Sequence, residues 1–330
     1  MSSPNSPFHI VTTLRETRGN EHHAQALCSL LRKHGAKVAL WSDTETDQVT
    51  RLGGKAIAPF SGQIPRGGTL IILGTWVSLH PWIDHVRPKR LILICNLLDS
   101  ASLCATLTAL ERPTLPKPEL VFVSQRLKDA SGLPGVITPI LIDQDTYTPA
   151  AQRPPAFTIG RMSRDAPEKH HPDDPSLYRM LAWSGTQIRI MGGSCLASAI
   201  GAHPQIALLP LNAEPPVAFL HSLDVFFYRT DPSTYEAAGR VIMEALMCGL
   251  AVVADVNGGY ADWIRNGENG YLFSAQEEAW EYCALIRQDQ SLRTRLQQQA
   301  RASALEFAGE AACQTYVAWL QAEKAGATAS

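Results

Sequence analysis

Two carboxylates, Glu236 and Glu244, stand eight residues apart in the stretch EAAGRVIMEALMCGLAVVADVNGGYADWIRNGENGYLF, with Gly239 between them at the expected start of a helix. A helix N-terminus offers unpaired N–H groups and partial positive charge, both suited to a diphosphate, and a glycine there lets a ligand approach the backbone closely. Gly239, Arg240 and Val241 are therefore expected to line a diphosphate. Glu244 lies more than one turn inside the helix, where an ionised carboxylate accepts hydrogen bonds from two adjacent ribose hydroxyls. Glu236, ahead of the helix, points toward whatever lies beyond the phosphates. The plainer alternative is that both glutamates are solvated, as most charged side chains are.

Positioning such residues requires a scaffold, and the hydrophobic pattern supplies one. Short apolar runs recur between helical stretches at 8–12, 38–41, 69–73, 90–95, 120–123 and 136–140. Runs buried on both faces that alternate with helices indicate a parallel sheet. The first helix places Ala24, Leu27, Leu30 and Leu31 on one face before Gly35 gives a stop signal. A polar, proline-containing break over 143–155 precedes a second series at 156–159, 187–191, 206–210, 225–228, 251–254 and 270–273. The expected fold class is α/β, with two Rossmann-like, doubly wound parallel-sheet domains facing a cleft, at 1–150 and 151–330, the last helix being a candidate to pack back on the first domain. A dinucleotide-dependent dehydrogenase is disfavoured because no two glycines are spaced as GxG.

At 330 residues the chain accommodates two domains, each able to bury a core. Hydrophobic residues make up 45% and charged residues 18%, far from a disordered composition. With 29 basic and 31 acidic residues the formal charge is −2, which makes nucleic acid an unlikely partner and leaves phosphate binding to local groups. Seven scattered cysteines without a CxxC spacing read as reduced packing residues of a cytoplasmic protein. Met1–Pro7 lacks the features of a signal peptide, no run reaches membrane-spanning length, and the tail after Gln321 is rich in alanine.

The segment from Glu236 to Phe273 resembles the C-terminal lobe of retaining glycosyltransferases of family 4, which have the GT-B fold. The matching parts are Glu236, Glu244-Ala245, Gly249, Val252-Val253-Ala254, Gly258-Gly259 and the run Gly267 to Leu272. TPILIDQDTYTP (Thr138–Pro149) is similar to the family's interdomain strand and turn, VSQRLKDASGL (Val123–Leu133) to the serine-led helix before it, and TIGRMSRDAPEKHH (Thr158–His171) to the element whose basic residues contact the donor diphosphate. The family spacing of four residues between arginine and lysine favours Arg164 with Lys169; Arg161, with seven residues between it and Lys169, is the alternative. Such cations would stabilise charge on the departing diphosphate. Gly192 is counted among the donor-binding residues.

The N-terminal half resembles the family less closely. Gly19 stands where members often carry a Gly-Gly pair, with Asn20 in place of the second glycine. The strand Arg90–Cys95 leads to Asn96, where many members have a histidine that contacts the donor sugar. Asn96 can bond a hydroxyl but cannot carry a proton's charge. His80 and His85 lie on the preceding segment, where compensation for the missing histidine is weighed against an ordinary surface or packing role.

The resemblance implies transfer of a sugar from a nucleoside-diphosphate sugar to a saccharide or lipid-linked hydroxyl acceptor, with retention, in polysaccharide or glycoconjugate synthesis. Glu236, Arg164 and Lys169 form the catalytic set. It implies neither cofactor nor metal, and the pairs His22-His23 and His170-His171 point adjacent side chains in different directions. Peripheral contact with the inner face of a membrane through Trp76, Trp82 and the segment 87–90 is weighed against a buried tryptophan and a solvated basic loop. The alternatives are a noncatalytic sugar-nucleotide-binding scaffold and a nucleotide-sugar 2-epimerase.

Overall fold

The computed structural model describes residues 6–14, 19–153 and 155–322. The N-terminal Met1–Asn5 and the alanine-rich tail from Glu323 lie outside them. By contact the chain divides into two compact units, one comprising residues up to Leu141 with those from Glu310 onward, the other Ile142–Gly309.

The first unit runs β1 (Phe8–Thr12), α1 (Gly19–Lys33), β2 (Val38–Ser42), α2 (Asp47–Arg51), β3 (Lys55–Ala56), β4 (Thr69–Leu73), β5 (Arg90–Cys95), α3 (Ser100–Leu110), β6 (Glu119–Phe122), α4 (Gln125–Ser131) and β7 (Val136–Ile137). Its sheet is parallel throughout, in the order β3-β2-β1-β4-β5-β6-β7. The central strands FHIVT and LIIL are buried along their whole length, which is why they read as unbroken apolar runs rather than alternating ones. The run expected at 136–140 is shorter as a strand, because Pro139 has no N–H to give a ladder. The two-residue β3 had no pattern to announce it.

The second unit runs β8 (Thr158–Met162), α5 (Asp174–Trp183), β9 (Gln187–Met191), α6 (Ala197–Ile200), β10 (Ile206–Leu209), α7 (Pro216–His221), β11 (Val225–Tyr228), α8 (Arg240–Met247), β12 (Ala251–Asp255), β13 (Gly270–Phe273), α9 (Gln276–Gln288) and α10 (Gln290–Ala308). Its parallel sheet is ordered β10-β9-β8-β11-β12-β13. Phe227 lies at the core, stacked on Phe273 with centroids 5.6 Å apart and edge-on to Tyr178 at 5.9 Å. Strand order reverses at β1/β4 in one unit and at β8/β11 in the other. In open sheets of this kind ligands bind beyond the carboxyl ends of the strands at that reversal.

The unit boundary falls at Leu141/Ile142 instead of 150/151. The polar stretch after Ile142 belongs to the second unit because α10 satisfies its backbone. Arg301 donates to the carbonyls of Gln144 at 3.1 Å and Tyr147 at 2.5 Å. His221 meets the Thr148 carbonyl at 2.7 Å.

The last helix, α11 (Glu310–Gln321), belongs to the first unit. Arg90, at the start of β5, holds Glu119 bidentately at 2.9 and 3.0 Å. It also donates to the carbonyls of Trp319 at 3.0 Å and Leu320 at 2.6 Å, with its guanidinium 4.5 Å from the Trp319 ring centroid. One cation thus caps a helix C-terminus whose carbonyls lack intrahelical donors. Replacing Arg90 with Met removes the bidentate partner of Glu119, in a site where both residues are largely buried, together with the donor to the last carbonyls of α11. The expected result is a loss of about 3 kcal/mol in denaturant unfolding, with faster hydrogen exchange along α11.

Candidate functional site

At the strand-order reversal of the second unit, a buried ionic cluster underlies the exposed chemistry. Arg161 on β8 is fully buried and bonds Asp174 at 3.3 Å. Asp174 opens α5 and also receives Arg229 at 2.5 Å and the Tyr178 hydroxyl at 3.3 Å. Arg161 further donates to the Arg229 carbonyl at 2.6 Å and to the Lys169 carbonyl, while its guanidinium lies 4.8 Å from the Tyr228 ring centroid. A buried charge needs such pairing to offset its desolvation. Arg161 therefore holds the chain that carries Lys169, and the alternative in which Arg161 meets the diphosphate is corrected: its side chain has no exposed surface.

Lys169 ends a 3-10 turn over Pro167–Lys169, and its ammonium lies 2.5 Å from Glu236. Tyr228, at the end of β11, donates to the same Glu236 oxygen at 3.0 Å. Burial, followed by the neighbouring Glu236 charge, raises the Tyr228 phenol well above its usual value, so it stays protonated and serves as a donor. The Glu236 backbone is fixed as well: it forms a parallel bridge with Gly258 and accepts from the Gly259 N–H at 2.9 Å. Arg164 does not join this pair. Its half-exposed side chain lies 3.3 Å from Glu168, one turn away.

Gly239 caps α8 with φ 74° and ψ 53°, a left-handed conformation. A Cβ there would sit 2.7 Å from Tyr260 Cδ1, so glycine is required both by conformation and by space. Arg240 and Val241 follow as the first helical residues. Glu244 is buried on α8, 2.8 Å from the Arg240 guanidinium one turn earlier and hydrogen-bonded to Tyr147. Burial raises its pKa, with Arg240 and Tyr147 opposing the rise. The picture of solvated glutamates on an ordinary helix does not apply, since Glu244 is buried and Glu236 is held by two side chains.

Gly192 serves packing. With φ 78°, it brings the end of β9 against the segment after β8, where a Cβ would lie 2.0 Å from the Ser163 carbonyl oxygen. His170 Nε2 is 2.9 Å from the Gly192 carbonyl oxygen, and burial followed by the Arg161 charge lowers its pKa to about 4. His170 is thus a neutral strut, whereas His171 faces Asp173 at 3.7 Å. Among the described residues, no group of three or more His, Cys, Asp or Glu comes together as a metal site.

In the first unit, Gly19 is exposed on the first turn of α1, and Asn96 donates to Asn20 at 2.6 Å. His80 is exposed and lies 3.8 Å from Asp84; His85 is exposed too. Of the residues considered for a membrane, Trp82 is buried with its indole N–H on the Ser78 carbonyl, and Arg90 is engaged with α11. No described helix is long and apolar enough to cross a bilayer. Sequence reasoning missed Tyr228, Asp174, Arg229 and Tyr147. Only Tyr147 left a signal, as the aromatic position of the TPILIDQDTYTP motif.

This is the GT-B architecture, and residues 194–303 match the model of the family described as glycosyl transferases group 1. The match includes both glutamates and Gly239 but not Lys169. Among solved structures, the chain is similar to Anabaena HepE crystallised with UDP-glucose, at 14% identity and a TM-score of 0.71, covering 96% of this chain and 99% of that one. It is also similar to sucrose-phosphate synthase from Thermosynechococcus elongatus, at 13% identity and a TM-score of 0.74, over 96% and 98% of the two chains. A glycosyltransferase from Rickettsia africae matches at 14% identity and a TM-score of 0.69, over 97% and 100%. At these identities the likeness is one of fold. No curated protein matches the sequence.

Two outcomes are expected from the local geometry. Gly239→Ala strains the left-handed cap by roughly 1–2 kcal/mol and pushes on Tyr260, lowering the thermal midpoint measured by calorimetry. His170 is depressed from 6.5 to about 4, so the unfolded chain binds more protons across that window and stability falls as pH drops through it. Urea unfolding at pH 7 and pH 5 should differ by about 2 kcal/mol more in the wild type than in His170→Gln.

Proposed function

We propose that this chain is a glycosyltransferase that holds a nucleoside-diphosphate sugar in its second unit and transfers the sugar to a hydroxyl acceptor with retention at the anomeric carbon. The observation that carries this reading is the Lys169–Glu236 pair, set at the strand-order reversal beside the N-terminus of α8, within a segment that largely matches the glycosyl transferases group 1 family. The donor is a substrate, and the proposal requires neither cofactor nor metal. The acceptor is a saccharide or a lipid-linked saccharide, the process polysaccharide or glycoconjugate synthesis, and the setting cytoplasmic, with any membrane association peripheral.

The first backbone N–H groups of α8, at Arg240 and Val241, cradle the diphosphate next to Gly239. Lys169 supplies the cation that stabilises charge on the departing phosphate, with Arg164 at the exposed edge of the site. Glu244 has about four lone-pair positions, so it can hold Arg240 and Tyr147 and still accept from ribose hydroxyls. Glu236 orients the transferred sugar. The leaving phosphate takes the acceptor proton on the same face, so the bond to the acceptor oxygen forms as the bond to the phosphate oxygen breaks.

The noncatalytic scaffold is kept as a second reading because Asn96, at the usual histidine position, is tied to another neutral amide. Acceptor-dependent release of free nucleotide separates a transferase from both the scaffold and a 2-epimerase. Calorimetric titration with UDP, GDP, ADP and their common sugar conjugates tests the donor site directly. One nucleotide should bind saturably, and Glu244→Ala should weaken it about tenfold or more, through loss of a charged hydrogen bond of roughly 1.5–3 kcal/mol. A folded protein that binds none of them overturns the reading.

A further inference from the structure

One aromatic side chain of the first unit stands in solvent on a turn built to hold it there. Phe60 is 99% exposed, more than any other large apolar residue described. It sits in the 3-10 turn Pro59–Ser61, between β3 and β4. Ala58 and Gln63 close the turn with two backbone bonds, N–H to carbonyl in each direction, at 2.9 and 3.0 Å. The Ser61 hydroxyl donates to the Ala58 carbonyl at 2.9 Å, the Gln63 amide donates to the Ala56 carbonyl at 2.6 Å, and Gly62 reverses the chain with φ 75°. The base of the turn is anchored to the sheet. The Ile57 N–H donates to the Ser42 carbonyl at 2.8 Å, and the Arg66 carbonyl lies 3.1 Å from His9 Nε2 on β1. Ile57, Ala58 and Pro59 are partly exposed, so Phe60 ends an apolar run, AIAPF, that is not covered.

The chain on either side of this tip carries charge of one sign. Residues 48–83 contain Arg51, Lys55 and Arg66 but no aspartate or glutamate. All three cations are exposed, and among the described residues none of them pairs with a carboxylate, including the preceding Glu45 and Asp47. Arg66 donates to the Gly62 carbonyl at 3.3 Å, which holds its guanidinium against the turn, and Lys55 opens β3 directly before it.

An apolar ring gains by leaving water, and each cation beside it gains from a negatively charged surface. An anionic bilayer offers both at once and receives a protruding ring without a preformed pocket. A single apolar group gives marginal, reversible membrane binding, and stable attachment takes a second signal such as a basic patch. A closed turn presents its ring without further ordering of the loop on binding. A second copy of the chain fits this surface poorly. In a two-fold contact the patch meets itself and sets its cations against their own copies.

We infer that the Phe60 turn, with Arg51, Lys55 and Arg66, docks on an anionic lipid surface, the ring entering the bilayer interface. This surface is not the one suggested by Trp76, Trp82 and the segment 87–90, in which Trp82 is buried and Arg90 is engaged with α11. The docking is separate from the nucleotide site and rests on the transferase reading for its purpose alone, which is to bring the first unit to a lipid-linked acceptor.

The test is co-sedimentation of the full chain with vesicles of phosphatidylcholine, alone or with about a third phosphatidylglycerol, at low and high salt. The chain should bind the anionic vesicles saturably, bind the uncharged ones weakly, and lose binding as salt rises. Phe60→Ser should weaken binding about tenfold or more with the thermal midpoint unchanged. Arg51→Gln and Lys55→Gln should each weaken it roughly fivefold. Phe60→Trp should keep the affinity and add blue-shifted emission, relative to the wild type, when anionic vesicles are present. Absence of binding to anionic vesicles, binding that Phe60→Ser leaves unchanged, or equal binding to uncharged vesicles overturns the inference. Self-association without lipid that Phe60→Ser abolishes also overturns it and assigns the turn to a second copy. Nucleotide titration of the same samples separates the two readings. Nucleotide binding without vesicle binding overturns the docking surface alone, and vesicle binding without nucleotide binding overturns the donor reading alone.

Discussion

The buried contact between Arg161 and Asp174 is the constraint on which the second unit's site depends. A guanidinium with no exposed surface is tolerated because Asp174, two backbone carbonyls and the face of Tyr228 replace its water. Each of those partners belongs to an element that carries part of the site. Arg161 comes from β8, Asp174 opens α5, Tyr228 ends β11, and the carbonyls are those of Arg229 and Lys169. The cation thus fixes how the loops beyond β8 and β11 leave the sheet, and after burial itself it is the next cause that keeps His170 neutral.

Tyr260 does the equivalent work on the other side of Glu236. It packs edge-on against Tyr228 at 5.6 Å and occupies the space where side chains at Gly239 and Gly258 would lie. Both glycines are therefore steric consequences of one aromatic ring. Their absence of side chains lets the backbone of the α8 cap and the bridge to Glu236 share that ring as a floor. Gly239 additionally needs its left-handed conformation, so its requirement is twofold.

Much of this was legible in the sequence, and the parts that were not share a physical character. Buried parallel strands announce themselves as apolar runs, so ten or so strand positions could be read within a residue or two, whereas β3 and the end of β7 depend on a neighbouring strand and on Pro139. Composition marks 143–155 as a linker, whereas the contact boundary falls at Leu141/Ile142, because backbone carbonyls of that stretch are claimed by Arg301 and His221 from far along the chain. At the site, Glu236, Glu244, Gly239 and Lys169 were visible as spaced residues. Which arginine is buried was not, since Arg161 and Arg164 differ only in which face of the departing chain they occupy. Arg161 is still within the strand and faces Asp174, and Arg164 has already left it.

The Lys169–Glu236 contact also bears on how a carboxylate can sit close to a proposed diphosphate. An isolated glutamate there would repel the ligand, and an isolated lysine would be a costly partly buried charge. Paired, the two are neutral, and Tyr228 shares the same Glu236 oxygen, so the carboxylate keeps a donor if the ammonium turns to another anion. Under the proposed function, an incoming phosphate would compete with Glu236 for Lys169 instead of meeting a bare negative charge. The exchange would release lone pairs on Glu236 for sugar hydroxyls at the moment the lysine is engaged. In the proposed transfer a single ion pair would order two events, diphosphate capture and sugar orientation, without any group that must change its protonation state.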